Sequence, residues 1–136
     1  MSRSVACIDY RNGKILIAKR IARGEMGDRW EFPGGKIEEA EDYTTAIKRE
    51  MQEEFGCGCE VFEQLAQGIF EHKGKNCSVV AFRVQLENDG VSEPFKLTEH
   101  TQTAWVIPSQ IIKLPFVDSD LKIFEQIKKS LGIAEK

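Results

Sequence analysis

No apolar run in this chain approaches the ~20 residues that a membrane-spanning helix requires, and its start, Met1-Ser-Arg-Ser-Val, holds no continuous apolar signal region. A soluble, cytoplasmic protein is the expectation. With 19 Lys and Arg against 22 Asp and Glu, the chain also lacks a continuous basic stripe interleaved with aromatics, so polymeric nucleic acid is not an expected partner. Cysteine is sparse. Cys7 and Cys77 sit singly in strand-like runs, and Cys57-Gly-Cys59 lacks the two-residue spacer of common zinc knuckles, so neither zinc nor a disulfide is expected. Repeats and low-complexity segments are missing too. At 136 residues the chain can bury about two thirds of its unfolded surface, which predicts a single domain over 1–136.

What is present in excess is acid, and the excess is local. From Glu38 to Glu54 seven carboxylates (Glu38, Glu39, Glu41, Asp42, Glu50, Glu53 and Glu54) stand against Lys48 and Arg49, so the net charge of −3 arises here and the remainder is slightly basic. Asp42 ahead of Tyr43-Thr-Thr-Ala reads as an N-cap, and Gly56 with Gly58 as a stop, predicting a helix over about 43–55. At about 100° per residue, Glu53 falls about 60° to one side of Glu50 and Glu54 about 40° to the other, beside an apolar stripe of Ile47, Met51 and Phe55. Lys48 and Gln52 take the solvent side. Like charges at these spacings cost a few tenths of a kcal/mol per exposed pair, and more when half-buried. A cation should neutralise them, and a hard divalent ion such as Mg²⁺, which also engages substrate phosphates, is the natural choice. For the helix alone, a solvated acidic face is the other reading.

The wider spacing decides between the two. Gly35, Glu41, Arg49-Glu50-Met51, Glu53-Glu54 and Gly56-Cys57 together resemble the full signature of the Nudix hydrolases, and Trp30-Glu-Phe-Pro-Gly-Gly-Lys36 resembles the approach to that signature in MutT-type members, which act on nucleoside triphosphates. One departure is Ala40, where the family often has glycine. Cys57 fills an aliphatic position, which a small buried thiol can do.

Taken in order, Ser4 to Tyr10 and Lys14 to Arg20 read as strands joined by an Asn12-Gly13 hairpin turn. A loop over Ile21 to Arg29 leads to a short strand at Trp30 to Phe32. Val61 to Glu71 and Asn76 to Leu86 are longer strand-like runs with His72 to Lys75 as their turn; Glu87 to Lys96 is a surface loop, and Thr101 to Ile107 is a further strand. Pro108 to Leu114 suggests a short helix. A last helix, capped by Asp118 or Ser119, presents Leu121, Phe124, Ile127 and Leu131 on one face and stops near Gly132, after which Ala134 to Lys136 should fray. The fold class is α/β, a mixed β-sheet covered on both faces. The resemblance implies the same Nudix-type α/β/α sandwich.

The resemblance also implies roles. Glu50, Glu53, Glu54 and the carbonyl of Gly34 match the positions that hold Mg²⁺, for which Mn²⁺ is a possible substitute; Glu53 is the catalytic carboxylate of choice. Arg49 is similar to the arginine that orients those carboxylates, and Glu41 is a supporting group. Glu99 lies where MutT-type relatives place another acidic residue near the metal; a plain loop glutamate is the alternative. Neither His100 nor His72 is expected to be catalytic. Arg20, Lys36 and Lys75 are candidate phosphate contacts, and Phe32 and Phe116 candidate stacking groups, with surface cation and core aromatic as the respective alternatives. Asp120 matches, on a loose alignment, the asparagine that reads the base of 8-oxo-dGTP in MutT-type enzymes; relatives acting on cytidine nucleotides carry aspartate. Asp118 is the other match, and helix capping is open for both.

The function so implied is Mg²⁺-dependent nucleoside triphosphate pyrophosphohydrolysis, yielding a nucleoside monophosphate and pyrophosphate, on small nucleotides such as CTP, modified dCTP or 8-oxo-dGTP. The alternatives are a catalytically silent Nudix-fold binding or sensor domain, which would lack a box carboxylate, and hydrolysis of another nucleoside diphosphate derivative such as ADP-ribose.

Overall fold

A computed structural model describes residues 2–24 and 26–133. Eight strands and three helices follow one another as β1 (Ser2–Ile8), β2 (Tyr10–Arg11), β3 (Lys14–Arg20), β4 (Trp30–Glu31), β5 (Gly34–Lys36), α1 (Tyr43–Phe55), β6 (Cys59–His72), β7 (Lys75–Leu86), β8 (His100–Val106), α2 (Pro108–Ile111) and α3 (Asp118–Leu131). The first predicted strand is two. At Asp9 the chain leaves one sheet for another, and the buried Asp9 carboxylate explains the break: it accepts from the backbone N–H of Leu86 at 2.9 Å and pairs with Arg11 at 2.7–2.8 Å. A mixed sheet of order β5-β1-β7-β6 has β1 and β7 parallel, and an antiparallel sheet joins β2 and β4 to one edge of β3 and β8 to the other. The Asn12-Gly13 hairpin forms as expected, both residues taking positive φ.

Strand alternation sends successive side chains to opposite faces, and two cores result. Val5, Cys7, Leu16 and Ala18 pack with Ala46, Ile47, Met51 and Phe55 of α1 and with Cys57 and Cys59. Ala6, Ile8, Ile15 and Ile17 pack with Ile123, Phe124 and Ile127 of α3. This is the α/β/α sandwich. Among the described residues no helix is long and apolar enough to cross a membrane, and the expected fraying of 134–136 falls outside those residues.

The helix ends divide expectation from finding. α1 occupies its predicted span, with Asp42 accepting from Thr45 N at 2.7 Å and Gly56 closing it at φ 70°. At α3 the N-cap is Val117, which offers no side-chain bond, so neither Asp118 nor Ser119 caps; Asp118 and Asp120 instead lie in the first turn, where the helix dipole favours negative charge. Asp118 faces Arg29 at 3.7 Å, and Asp120 turns into the core. α2 ends at Ile111, short of the predicted Leu114.

Ala40 has φ 69°, a left-handed conformation that costs a residue with a Cβ about 1–2 kcal/mol. The departure from glycine is therefore a small strain in the loop that delivers α1. Ala40→Gly should raise stability by about 0.5–1 kcal/mol once the added unfolded-state entropy is deducted, read as a higher urea midpoint with an unchanged slope.

Candidate active site

β5, α1, β4 and the start of α3 converge on a cleft of about 480 Å³, lined by Gly34, Gly35, Lys36, Glu50, Glu53, Glu54, Glu99, Arg20, Glu31, Phe32 and Asp120 among others. Two glycines let β5 approach so closely. Gly34 sits at φ 155° with its Cα hydrogen aimed where a Cβ would strike Val5 O, and a Cβ on Gly35 would fall on the Glu50 carboxylate. Any side chain at position 35 displaces Glu50.

The predicted acid arc is present, and Arg49 organises it. Its Nε and NH2 hold the two oxygens of Glu41, each at 2.8 Å, while NH1 donates to Glu50 Oε1 at 2.8 Å and to Glu53 Oε2 at 3.3 Å, and NH2 donates also to Lys36 O at 3.0 Å. Glu41 accepts in addition from Glu38 N, and the guanidinium holds its carboxyl down to about 2. Arg49 is therefore a bracket between the β5 turn and α1. Lysine has one point charge and no planar fork, so Arg49→Lys should keep the fold, lose the bidentate hold on Glu41, and lower kcat by about tenfold, measured in the hydrolysis assay proposed below.

Glu54 differs from its neighbours. It is 5 % exposed, its Oε2 has no hydrogen-bond partner among the described residues, and burial, then a hydrogen bond with Glu50 and the charges of Glu50, Glu31 and Glu99, push its carboxyl up to about 10. A buried carboxyl with a bare oxygen beside two further carboxylates is a costly arrangement without a ligand. Among the described residues no three acidic, His or Cys side chains are already drawn together as a cation cage, because Glu50 and Glu53 are turned onto Arg49. The donor set is nonetheless one of hard oxygens around an unsatisfied one, and that chemistry fits Mg²⁺ or Mn²⁺.

Of the other expected residues, Glu99 is exposed at the cleft, and Arg20 and Lys36 stand at its rim. Lys75 does not reach it. The Lys73-Gly74 turn carries Lys75 to the far end of the β6–β7 hairpin, where it lines an adjoining groove of about 1340 Å³. Phe32 is 3 % exposed and edge-on to Phe116 at 5.1 Å, so both are core aromatics with no free face for a base; Phe32 contributes only part of the cleft floor. Phe70 is the half-buried aromatic that lines the cleft. Sequence alternation misses it because two register shifts in β6, between Val61 and Ala66, reset which side chains face inward.

Asp120, a candidate cap or base reader from the sequence, does not cap α3. Its Oδ2 accepts from the backbone N–H of Phe32 at 2.9 Å, and burial together with the charge of Glu31 raises it to about 7, against the opposing pull of Phe32 N–H and Arg20. His100, not expected to be catalytic, is buried: its Nε2 meets Glu31 Oε2 at 2.8 Å and its ring stacks on Phe55.

The NUDIX domain profile matches residues 1–127. The CTP pyrophosphohydrolase of Escherichia coli K12 is 32 % identical over 125 residues, covering 92 % of this chain and 90 % of that one. The chain belongs to the NUDIX family. An 8-oxo-dGTP diphosphatase of Haemophilus influenzae is 28 % identical over 85 % of this Nudix hydrolase and 82 % of its own length. Among solved structures, the solution structure of the E. coli ORF135 protein superposes with a TM-score of 0.83 at 30 % identity, covering 99 % of this chain and 95 % of that one. The MutT protein of Methanosarcina mazei Go1, at 22 % identity, shares the fold with a TM-score of 0.78 over 99 % and 96 % of the two chains. The Nudix box is thus the stretch that Arg49 brackets, and the α/β/α sandwich is the family's.

Proposed function

We propose that this Nudix hydrolase is a Mg²⁺-dependent nucleoside triphosphate pyrophosphohydrolase that converts a free or modified (d)NTP to the monophosphate and pyrophosphate. The observation that carries the reading is Glu54: a buried carboxyl with an unpartnered oxygen, set beside Glu50 and Glu53 at a cleft of nucleotide size. The names of the relatives, one a CTP pyrophosphohydrolase and another an 8-oxo-dGTP diphosphatase, supply the substrate class.

In this reading Glu50, Glu53, Glu54 and the carbonyl of Gly34 would hold a divalent cation, which when bound would supply charge neutralisation at the phosphate chain and a lowered pKa for a water there. Arg49 keeps Glu50 and Glu53 at the cleft beside Glu54, and each would turn from the guanidinium to reach a cation. Glu53, the most exposed of the three at 59 %, or Glu99 across the cleft takes the proton of the water. Arg20 and Lys36 at the rim bind phosphate oxygens through charge-assisted bonds. Asp120 meets the base from the floor. An ionised aspartate only accepts, which suits the amino group of cytosine, whereas the protonated acid also donates and so accommodates the O6 acceptor and N7 donor of 8-oxoguanine.

A panel of CTP, 5-modified dCTP, dGTP and 8-oxo-dGTP assayed for pyrophosphate release, and of ADP-ribose assayed for AMP, with Mg²⁺ and with excess chelator, tests the reading. Pyrophosphate from at least one triphosphate, lost in chelator, is the expected result. Binding without turnover would leave a sensor domain instead.

A further inference from the structure

Three buried side-chain atoms have no hydrogen-bond partner among the described residues: Arg20 Nε, His100 Nδ1 and Glu54 Oε2. All three belong to one chain of contacts. Arg20 NH1 donates to Glu31 Oε1 at 3.1 Å, His100 Nε2 meets Glu31 Oε2 at 2.8 Å, and His100 Nδ1 stands 3.7 Å from Glu54 Oε1. A carboxylate paired with a guanidinium only accepts, so Nε2 carries the hydrogen of the second bond and the ring's other edge is left facing Glu54.

The sheet builds this chain. Glu31 of β4 lies opposite Ala18 on one side of β3, and a register shift after Lys19 brings Arg20 opposite His100 of β8 on the other. Such a bulge re-aims the side chain that follows it. The His100 ring, with a side-chain exposure of 1 %, is further clamped by Phe55 at 5.6 Å and 17°, directly after Glu54 in α1. Glu31 is consequently a carboxylate near Glu54 whose two oxygens are both taken, one by Arg20 and one by His100.

We propose that His100 is a positioning residue: acting through Glu31 it fixes Arg20 at the phosphate rim, and it ties that placement to the carboxylate of Glu54. The proposal rests on the phosphate-chain hydrolysis reading above, in which Arg20 binds phosphate and Glu54 the cation. Coupling carried between the two sites by this chain of contacts would be reciprocal. Cation and nucleotide should each strengthen the other's binding more when His100 is present than when its bond to Glu31 is cut.

The test compares wild type, His100→Phe, His100→Gln, Arg20→Ala and the Arg20→Ala/His100→Phe double variant. Phenylalanine keeps the stack on Phe55 and loses the bond; glutamine loses the stack and places an amide nitrogen where Nε2 was. Calorimetric binding of a CTP analogue with an α,β-methylene bridge, with and without Mg²⁺, is measured beside KM, kcat and the urea midpoint. We expect His100→Phe to weaken analogue binding and raise KM about tenfold, to shrink the Mg²⁺ enhancement of binding, and to leave the midpoint nearly unchanged. His100→Gln should recover most of the loss. The double variant should bind no more weakly than Arg20→Ala alone, because both substitutions cut the same link. Equal losses in His100→Phe and His100→Gln, losses that multiply in the double variant, or a fall confined to the urea midpoint would each overturn the proposal. A wild type that releases no pyrophosphate overturns the hydrolysis reading while the ranking of binding constants still decides the role of His100; a wild type that binds no analogue overturns both.

Discussion

Glu54→Gln is expected to lower kcat/KM about a thousandfold, ~4 kcal/mol of transition-state stabilisation, and yet to leave the chelated protein as stable as wild type or more so. The sign follows from protonation. Burial and Glu50 raise the folded carboxyl from 4.5 to about 10, so in chelator the folded state holds a proton that the unfolded chain has released. Wild-type stability is therefore fully present below about pH 4.5 and falls as pH rises through about 10. Glutamine resembles the neutral acid and carries no such penalty, so the variant should gain on wild type steadily between those limits. Mg²⁺ reverses the order. A cation that binds only the folded state stabilises by about 2.7 kcal/mol at a hundred times its dissociation constant, and it needs Glu54 ionised, so its effect should grow toward alkaline pH in wild type and be nearly absent in Glu54→Gln. The rate should climb with pH for the same reason. Thermal melts between pH 6 and 9, with Mg²⁺ and with chelator, give the comparison; an activity optimum below pH 6, or equal Mg²⁺ stabilisation in both proteins, would contradict the assignment. Glu53→Gln is the matched control. Its side chain is largely exposed, so turnover should fall steeply with little change in stability in chelator.

The parts of the molecule legible in the sequence are those set by local spacing. α1, its caps and its acidic arc follow from i, i+3 and i+4 positions and from Asp42 and Gly56, and the Asn12-Gly13 turn follows from two residues that tolerate positive φ. What escaped depends on partners distant in the chain. The break at Asp9 is made by Leu86 N–H, the inward turn of Asp120 by Phe32 N–H, and the burial of His100 by Glu31 and Phe55. The compensating partner of each polar residue lies far along the sequence, beyond the reach of local spacing. Phe70 was lost for a different reason: bulges in β6 break the two-residue period on which strand faces are assigned. Ala40 was visible as a departure from a glycine position, but only its φ shows that the cost is backbone strain.

Base preference should swing with pH, and Asp120 is the group expected to move it. Its carboxyl is raised to about 7 by burial and by Glu31, so both forms are populated near neutrality. Above that value the ionised form accepts only, favouring the cytosine amino group; below it the acid can donate as well, and 8-oxo-dGTP becomes acceptable. The ratio of kcat/KM for CTP to that for 8-oxo-dGTP should therefore rise at least tenfold between pH 6 and 8.5, as expected for one well-placed hydrogen bond turned repulsive. Asp120→Asn should flatten this dependence, since the amide keeps an acceptor for Phe32 N–H and a donor at every pH, and should shift the ranking toward 8-oxo-dGTP. Stability supplies an independent reading of the same ionisation. With the folded value above the unfolded 3.8, the wild type loses stability as pH rises from about 3.8 through about 7. Asp120→Asn should thus be more stable than wild type at pH 8, on the order of 4 kcal/mol if the whole penalty is relieved, and nearly equal to it at pH 4. A ratio that tracks pH identically in wild type and Asp120→Asn would assign the swing to another group and leave Asp120 as a buried anchor for the Phe32 backbone.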